Sequence, residues 1–167
     1  MLIAATNNIK LIVTTYFEHS NEATKILVNT PIWGLGLDFL YGSENLSSLE
    51  LIANSGKNLI AGVVDGRNIW KNDIKKSFDL LTEISKVLEK DKIIISSSCS
   101  LLHTPFTLKY EDKLDEEIKN WLSFACEKLD EVVLLAKVFY KGIGNLDDKE
   151  LEALNKNKNA NKSRESS

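Results

Sequence analysis

An α/β fold built on parallel strands is what this sequence predicts, and three observations carry the prediction. Four short, nearly continuous apolar runs recur along the chain, the pattern of strands buried on both faces. Each run is followed by a stretch that can hold a helix, which is the rhythm of βαβ units. All four runs turn polar at their carboxyl ends, where the chemistry of parallel α/β folds collects.

The first run is Lys10 to Tyr16 (KLIVTTY), the second Trp33 to Leu40 (WGLGLDFL), the third Leu59 to Val64 (LIAGVV) and the fourth Lys92 to Ser96 (KIIIS). Between them, Asn21 to Val28 and Leu46 to Asn54 give short helices of weak periodicity. A stronger helix starts near Asn72 or Asp73, both good N-cap residues, and places Ile74, Phe78, Leu81, Ile84, Ser85 and Leu88 on one face. The clearest pattern is the last. Leu114, Ile118, Trp121, Leu122, Ala125, Leu129, Val132, Val133 and Ala136 step by three and four, predicting one long helix with this face inward. Asp112, Asp115, Glu116 and Glu117 put negative charge at its start, and Gly142 and Gly144 stop it. Leu146 to Leu154 can form one more short helix. Asn155 to Ser167 (NKNKNANKSRESS) is too polar to bury a core and is expected to be a disordered tail.

The chain has 167 residues, net charge −3, 43% hydrophobic and 27% charged residues. That is globular composition, against disorder or a fibrous class, and one domain is the prior. The length is short of the roughly 250 residues of a closed eight-stranded α/β barrel. Balanced charge disfavours nucleic acid as a partner. No long apolar run and no signal-like start are present, so neither membrane nor export is expected, and the chain reads as cytoplasmic. Its two cysteines, Cys99 and Cys126, fit a reducing compartment. Arg67 is one of only two arginines.

The polar strand ends hold the candidate residues. They run from Thr14 to His19, Asp38 to Gly42, Asp65 to Asn68 and Ser96 to His103. Asp65, Arg67, Asn68 and His103 are the candidate binding residues. A guanidinium at Arg67 can grip a carboxylate bidentately or order its own loop, and loop ordering is the commoner use. Cys99 with His103 offers a nucleophile beside a base, but no third group orients the pair. Cys99 and His103 with His19 or Asp38 could be assembled as a zinc site, although no ligand spacing supports it. No catalytic residue is assigned.

The segments Gly62 to Trp70 (GVVDGRNIW) and Ser96 to His103 (SSSCSLLH), with Lys10 to Phe17, Gly36 to Leu40 and Leu114 to Leu122, resemble the amino-terminal domain of cobalamin-independent methionine synthase, and the likeness runs from about Lys10 to Gly142. The resemblance implies the C-terminal half, about four βα units, of a TIM-type (β/α)8 barrel over residues 1–145, with 146–167 as a short helix and tail. It implies an enzyme of two such barrels that moves a methyl group from polyglutamylated 5-methyltetrahydrofolate to homocysteine with the help of zinc. The zinc and homocysteine sites belong to the second barrel, and the lysines for the polyglutamate tail would lie ahead of Met1. No cofactor is therefore assigned to this chain, and folate and homocysteine are partners of the complete enzyme only. By the likeness of the two barrels, Cys99 and Asp38 stand where metal ligands would be, as relics of a lost site. A half-barrel leaves two sheet edges open, so a homodimer or a complementing fragment is expected. The alternative is a decayed, non-catalytic binding module.

Overall fold

The computed structural model describes residues 9–167, and the start of the chain through Asn8 lies outside them. Four strands, β1 (Ile12–Thr14), β2 (Gly34–Asp38), β3 (Asn58–Val64) and β4 (Ile93–Ser97), form one sheet in chain order. β1 pairs with β2 in parallel, Val13 opposite Leu35, and β2 with β3 in parallel, Leu37 opposite Ala61. Helices α1 (Asn21–Leu27), α2 (Leu49–Ser55) and α3 (Ile74–Ile84) alternate with the strands. This is a parallel sheet with flanking helices, the arrangement of half a TIM-type barrel.

The chain divides into two compact units. The first takes the chain to Val63 together with Thr82–Cys99, and the second takes Val64–Leu81 and Ser100–Ser167. In the first unit β2 is buried throughout and β3 everywhere but Ile60, with Leu35, Leu59 and Ala61 fully so, while the edge strands are half covered: Ile12 is 40% and Ile94 37% exposed. Packing at the strand ends is tight around Gly62, where a Cβ would lie 2.7 Å from the Leu37 carbonyl oxygen and 2.8 Å from Ser98 Cα. β1 is shorter than the apolar run that predicts it. Phe17 (φ 66°) and Glu18 (φ 94°) take left-handed conformations and turn the chain out of the sheet. α2 is preceded by a 3-10 turn over Ser43–Ser48, which takes the first residues of the predicted helix.

The second unit is helical. α3 starts as its sequence indicates: Asp73 caps it by accepting the Lys76 N–H. The long helix expected over Leu114 to Ala136 is two helices, α4 (Glu116–Trp121) and α5 (Ala125–Lys141). Asp115 caps α4 through the N–H groups of Glu117 and Ile118. The break has a cause in hydrogen bonding. Leu122 bridges Trp70 in antiparallel fashion, and the Ser123 N–H donates to the Ile69 carbonyl, so residues 122–124 are held extended. Leu122 and Phe124 pack with Leu108 in a small apolar cluster, which explains why Leu122 fits a helical period without being helical. The inward face of α5 also differs from the expected one. Leu129 is 56% and Val133 52% exposed, whereas Lys128, Glu131, Leu135, Val138 and Phe139 are buried.

The tail expected to be disordered is instead α6 (Asp148–Glu165). Asp147 and Glu150 form a reciprocal capping box at its start. Its attachment is polar. Asn157 and Asn161 donate their side-chain amides to the Asn72 carbonyl, Asn157 accepts the Ile74 N–H, and Arg164 donates to the Lys71 carbonyl while lying over the Trp70 ring. Counting apolar residues misses this, because here side-chain amides satisfy backbone groups that would otherwise be orphaned. Among the described residues, no helix is long and apolar enough to cross a membrane.

Candidate functional site

The candidate residues sit at or just past strand ends, and Asp38, Asp65 and Asn68 are held by hydrogen bonds within their own segments. Asp38 closes β2 fully buried. Its Oδ1 accepts the N–H groups of Leu40 (2.8 Å) and Tyr41 (3.0 Å), its carbonyl accepts the Asn45 side-chain amide, and its Oδ2 has no partner. Asn45 also accepts the Ser20 N–H, tying the strained turn at Phe17 and Glu18 to the end of β2. Gly42 is required there: a Cβ would come within 2.4 Å of the Glu18 carbonyl oxygen. Cys99 is buried, and its carbonyl accepts the Ser97 hydroxyl.

Asp65, Arg67 and Asn68 come together in one loop after β3. Asp65 accepts the Arg67 N–H through Oδ1 and the Asn68 side-chain amide through Oδ2, and Asn68 in turn accepts the Trp70 N–H. The carboxylate is thus used on its own loop, a turn-ordering role for Asp65 and Asn68. His103 ends an exposed 3-10 turn, Leu101–His103, whose N-cap is Ser100. Cys99 belongs to the first unit and His103 to the second. Among the described residues, no group of three His, Cys, Asp or Glu side chains is gathered to hold a metal ion.

The most perturbed electrostatics lie elsewhere, in the second unit. Lys128 on α5 is completely buried and donates to the Trp70 carbonyl (2.9 Å). One turn on, Glu131 accepts the Asn72 N–H (3.0 Å) through Oε1, and the buried Ser123 hydroxyl lies beside its carboxylate. Burial pushes the Glu131 carboxyl up to about 7, against the opposing pull of the Lys128 charge. Burial likewise pulls the Lys71 ammonium below its ordinary value. Sequence reasoning places Leu129 and Val133 inward and so misses this group. The available signal is a lysine and an acid three residues apart on the helix face that also carries Leu135 and Val138.

Because the folded Glu131 binds its proton more tightly than the unfolded chain does, its contribution to stability is complete below pH 4.5 and is lost as pH rises to about 7. The lost contribution is of order 3 kcal/mol. Glu150 acts in a separate window. The Asp147 N–H and Lys137 hold its carboxyl down to about 2, so its contribution is present above pH 4.5 and is lost toward pH 2. Glu131→Gln is expected to flatten the fall in stability between pH 4.5 and 7, measured by urea unfolding across that range; an unchanged slope contradicts the assignment.

Comparison with known proteins agrees with this fold. Residues 1–89 match the family model described as the cobalamin-independent synthase N-terminal domain. A protein of Desulforamulus reducens named 5-methyltetrahydropteroyltriglutamate–homocysteine methyltransferase is 56% identical over 134 residues, which are 80% of this chain and 17% of that protein. Relatives of the same name from Candida albicans (46% over 128 residues, 77% of this chain and 17% of the relative) and Listeria welshimeri (41% over 156 residues, 91% and 20%) are similar to it as well. The chain therefore spans about a sixth to a fifth of the length of these relatives. A parallel sheet of successive strand-helix units, matched through β3 and α3 to that family's N-terminal domain, places the chain in the cobalamin-independent methionine synthase family.

Proposed function

We propose that this chain is a scaffold portion of a methyltransferase that moves a methyl group from 5-methyltetrahydropteroyltriglutamate to homocysteine in methionine biosynthesis, and that it is catalytically silent alone. The observation that carries this reading is the coverage: 134 residues match at 56% identity, yet they amount to 17% of the relative. The strand ends support it, since Asp38, Asp65 and Asn68 spend their hydrogen bonds on their own turns. In this role Asp65, Arg67 and Asn68 order the loop after β3, and His103 is left to touch ligand only in the complete enzyme. Folate and homocysteine are ligands of that complete enzyme, and its zinc belongs to another portion. Cys99 and Asp38 are relics of a metal site in a barrel that no longer holds one. Cys99 and Cys126, which form no disulfide, favour a reducing compartment, and we place the protein in the cytoplasm.

A second reading rests on the half-covered edge strands β1 and β4, which suit a second copy or a complementing fragment. Assay of the purified chain separates these ideas from a self-sufficient enzyme. No methyl transfer and no stoichiometric zinc are expected. Turnover by the chain alone, or one zinc per chain that disappears in Cys99→Ala, overturns the proposal.

A further inference from the structure

Helix α5 is apolar on two sides. Its inner side, with Leu135 and Val138, is buried within the second unit. The opposite side carries Cys126, Leu129, Val133, Ala136 and Tyr140, which step by 3, 4, 3 and 4 residues. Leu129, Val133 and Tyr140 are 56%, 52% and 47% exposed, and Cys126 and Ala136 are half-buried. The solvent side of a surface helix is ordinarily polar. An apolar 3-4 spacing is instead the a and d seam along which one helix packs against another. The apolar surface continues at both ends of the seam. Exposed Phe106 accepts the Cys126 N–H at its carbonyl (3.0 Å), and exposed Ile143 follows Gly142.

The charges beside the seam decide what fits it. Asp130 and Lys137 directly follow Leu129 and Ala136, so both take e positions and flank the same edge of the seam. In an antiparallel helix pair the e positions of the two helices face each other. With Val133 set against Ala136 of a second copy, Leu129 falls against Tyr140 and Asp130 against Lys137, and a two-fold axis repeats each contact. The surface is thus complementary to itself in shape and charge. Among the described residues Asp130 makes no ion pair. Lys137 pairs with Glu150 (3.0 Å), and Glu150 keeps Lys141 (3.2 Å) when Lys137 turns to a carboxylate outside its own chain.

We propose that α5 pairs antiparallel with α5 of a second copy of this chain, about a two-fold axis between Val133 and Ala136. This surface is distinct from the edges of β1 and β4. Burial of Leu129, Val133 and Tyr140 supplies the attraction, and Asp130 with Lys137 sets the direction. The seam is short. A helix of 17 residues is about 25 Å long, and one such contact buries less than the roughly 1,600 Å² of a standard interface. The dimer is therefore weak and concentration-dependent, with a Kd on the order of 10 μM.

Sedimentation equilibrium of the full chain from about 1 to 200 μM reads the association, and a monomer–dimer equilibrium within that range is expected. Val133→Lys sets two like charges at the centre of the seam from an exposed position of α5. It is expected to weaken the dimer at least about tenfold, with helix content by circular dichroism unchanged. Asp130→Lys opposes lysines at both ends of the seam and is expected to weaken the dimer about fivefold. Adding Lys137→Asp to that variant restores opposite charges across the axis and is expected to recover the parent affinity to within about twofold. A parallel pair does not bring positions 130 and 137 together, so it shows no recovery. A chain that stays monomeric throughout, a dimer that survives Val133→Lys as one formed through the sheet edges does, or a double variant without recovery overturns the proposal.

Discussion

Lys128→Ala is expected to destabilise the helical unit by about 3 kcal/mol, because breaking a buried charge pair leaves the other charge uncompensated. The Lys128 side chain is completely buried, its ammonium donates to the Trp70 carbonyl, and its charge opposes the burial penalty on Glu131. Alanine removes all three at once: the aliphatic stem, the donor to a backbone carbonyl and the counter-charge. The corresponding fall in melting temperature is about 6–12 °C. Lys158→Ala, on an exposed position of α6, is the control and is expected to stay within about 0.5 kcal/mol of the parent chain. Equal effects of the two substitutions, followed by thermal melting, contradict the placement of Lys128 in the interior.

The second large effect belongs to Gly62. In Gly62→Ala the new methyl meets the Leu37 carbonyl oxygen at 2.7 Å, Ser98 Cα at 2.8 Å and the Ser97 carbonyl oxygen at 3.1 Å. All three are backbone atoms of neighbouring strands or their ends, so no side-chain rotation relieves the contact, and the sheet itself must shift. Overpacking of this kind costs about 3 kcal/mol at the upper end of its usual range. Gly56→Ala gives the contrast. Gly56 caps α2 at φ 69° with open space around its Cα, so the cost there is the left-handed backbone alone, about 1 kcal/mol. Denaturant melts that rank the two substitutions the other way contradict the close approach at the ends of β2, β3 and β4.

The parts of the fold legible in the sequence are those where one local signal meets one structural role. β2 and β3 come from short runs dominated by apolar residues, and both are buried, apart from half-buried Ile60, as such runs require. α3 carries an apolar stripe with a capping aspartate just ahead of it, and it begins where Asp73 sets it. The misread parts are those where hydrogen bonds settle the outcome. Leu122 continues the helical period, yet Trp70 and Ile69 hold that stretch extended. Lys128 and Glu131 are polar by composition, but the peptide groups of Trp70 and Asn72 solvate them inside. α6 lacks an apolar stripe and is held by the amides of Asn157 and Asn161 on a single carbonyl, a contact 85 or more residues away in sequence. At the strand ends, the turn chemistry of Asp65 and Asn68 is visible in the sequence as an ordinary loop signal. The commitment of Asp38 to two backbone donors is not, because it depends on where β2 stops.

On the proposed function, this chain supplies the same scaffold as the matching stretch of its relatives and no methyl-transfer chemistry of its own. The most direct measurement is a chimera in which the 134 matching residues of the Desulforamulus reducens relative are replaced by those of this chain. Methyl transfer from 5-methyltetrahydropteroyltriglutamate to homocysteine is then assayed beside the parent relative and the isolated chain. The predicted result is a chimera active within about tenfold of the parent, a difference of about 1.4 kcal/mol in the barrier, with no turnover by the chain alone. A folded chimera that has lost activity by several orders of magnitude, or an isolated chain that turns over, contradicts it.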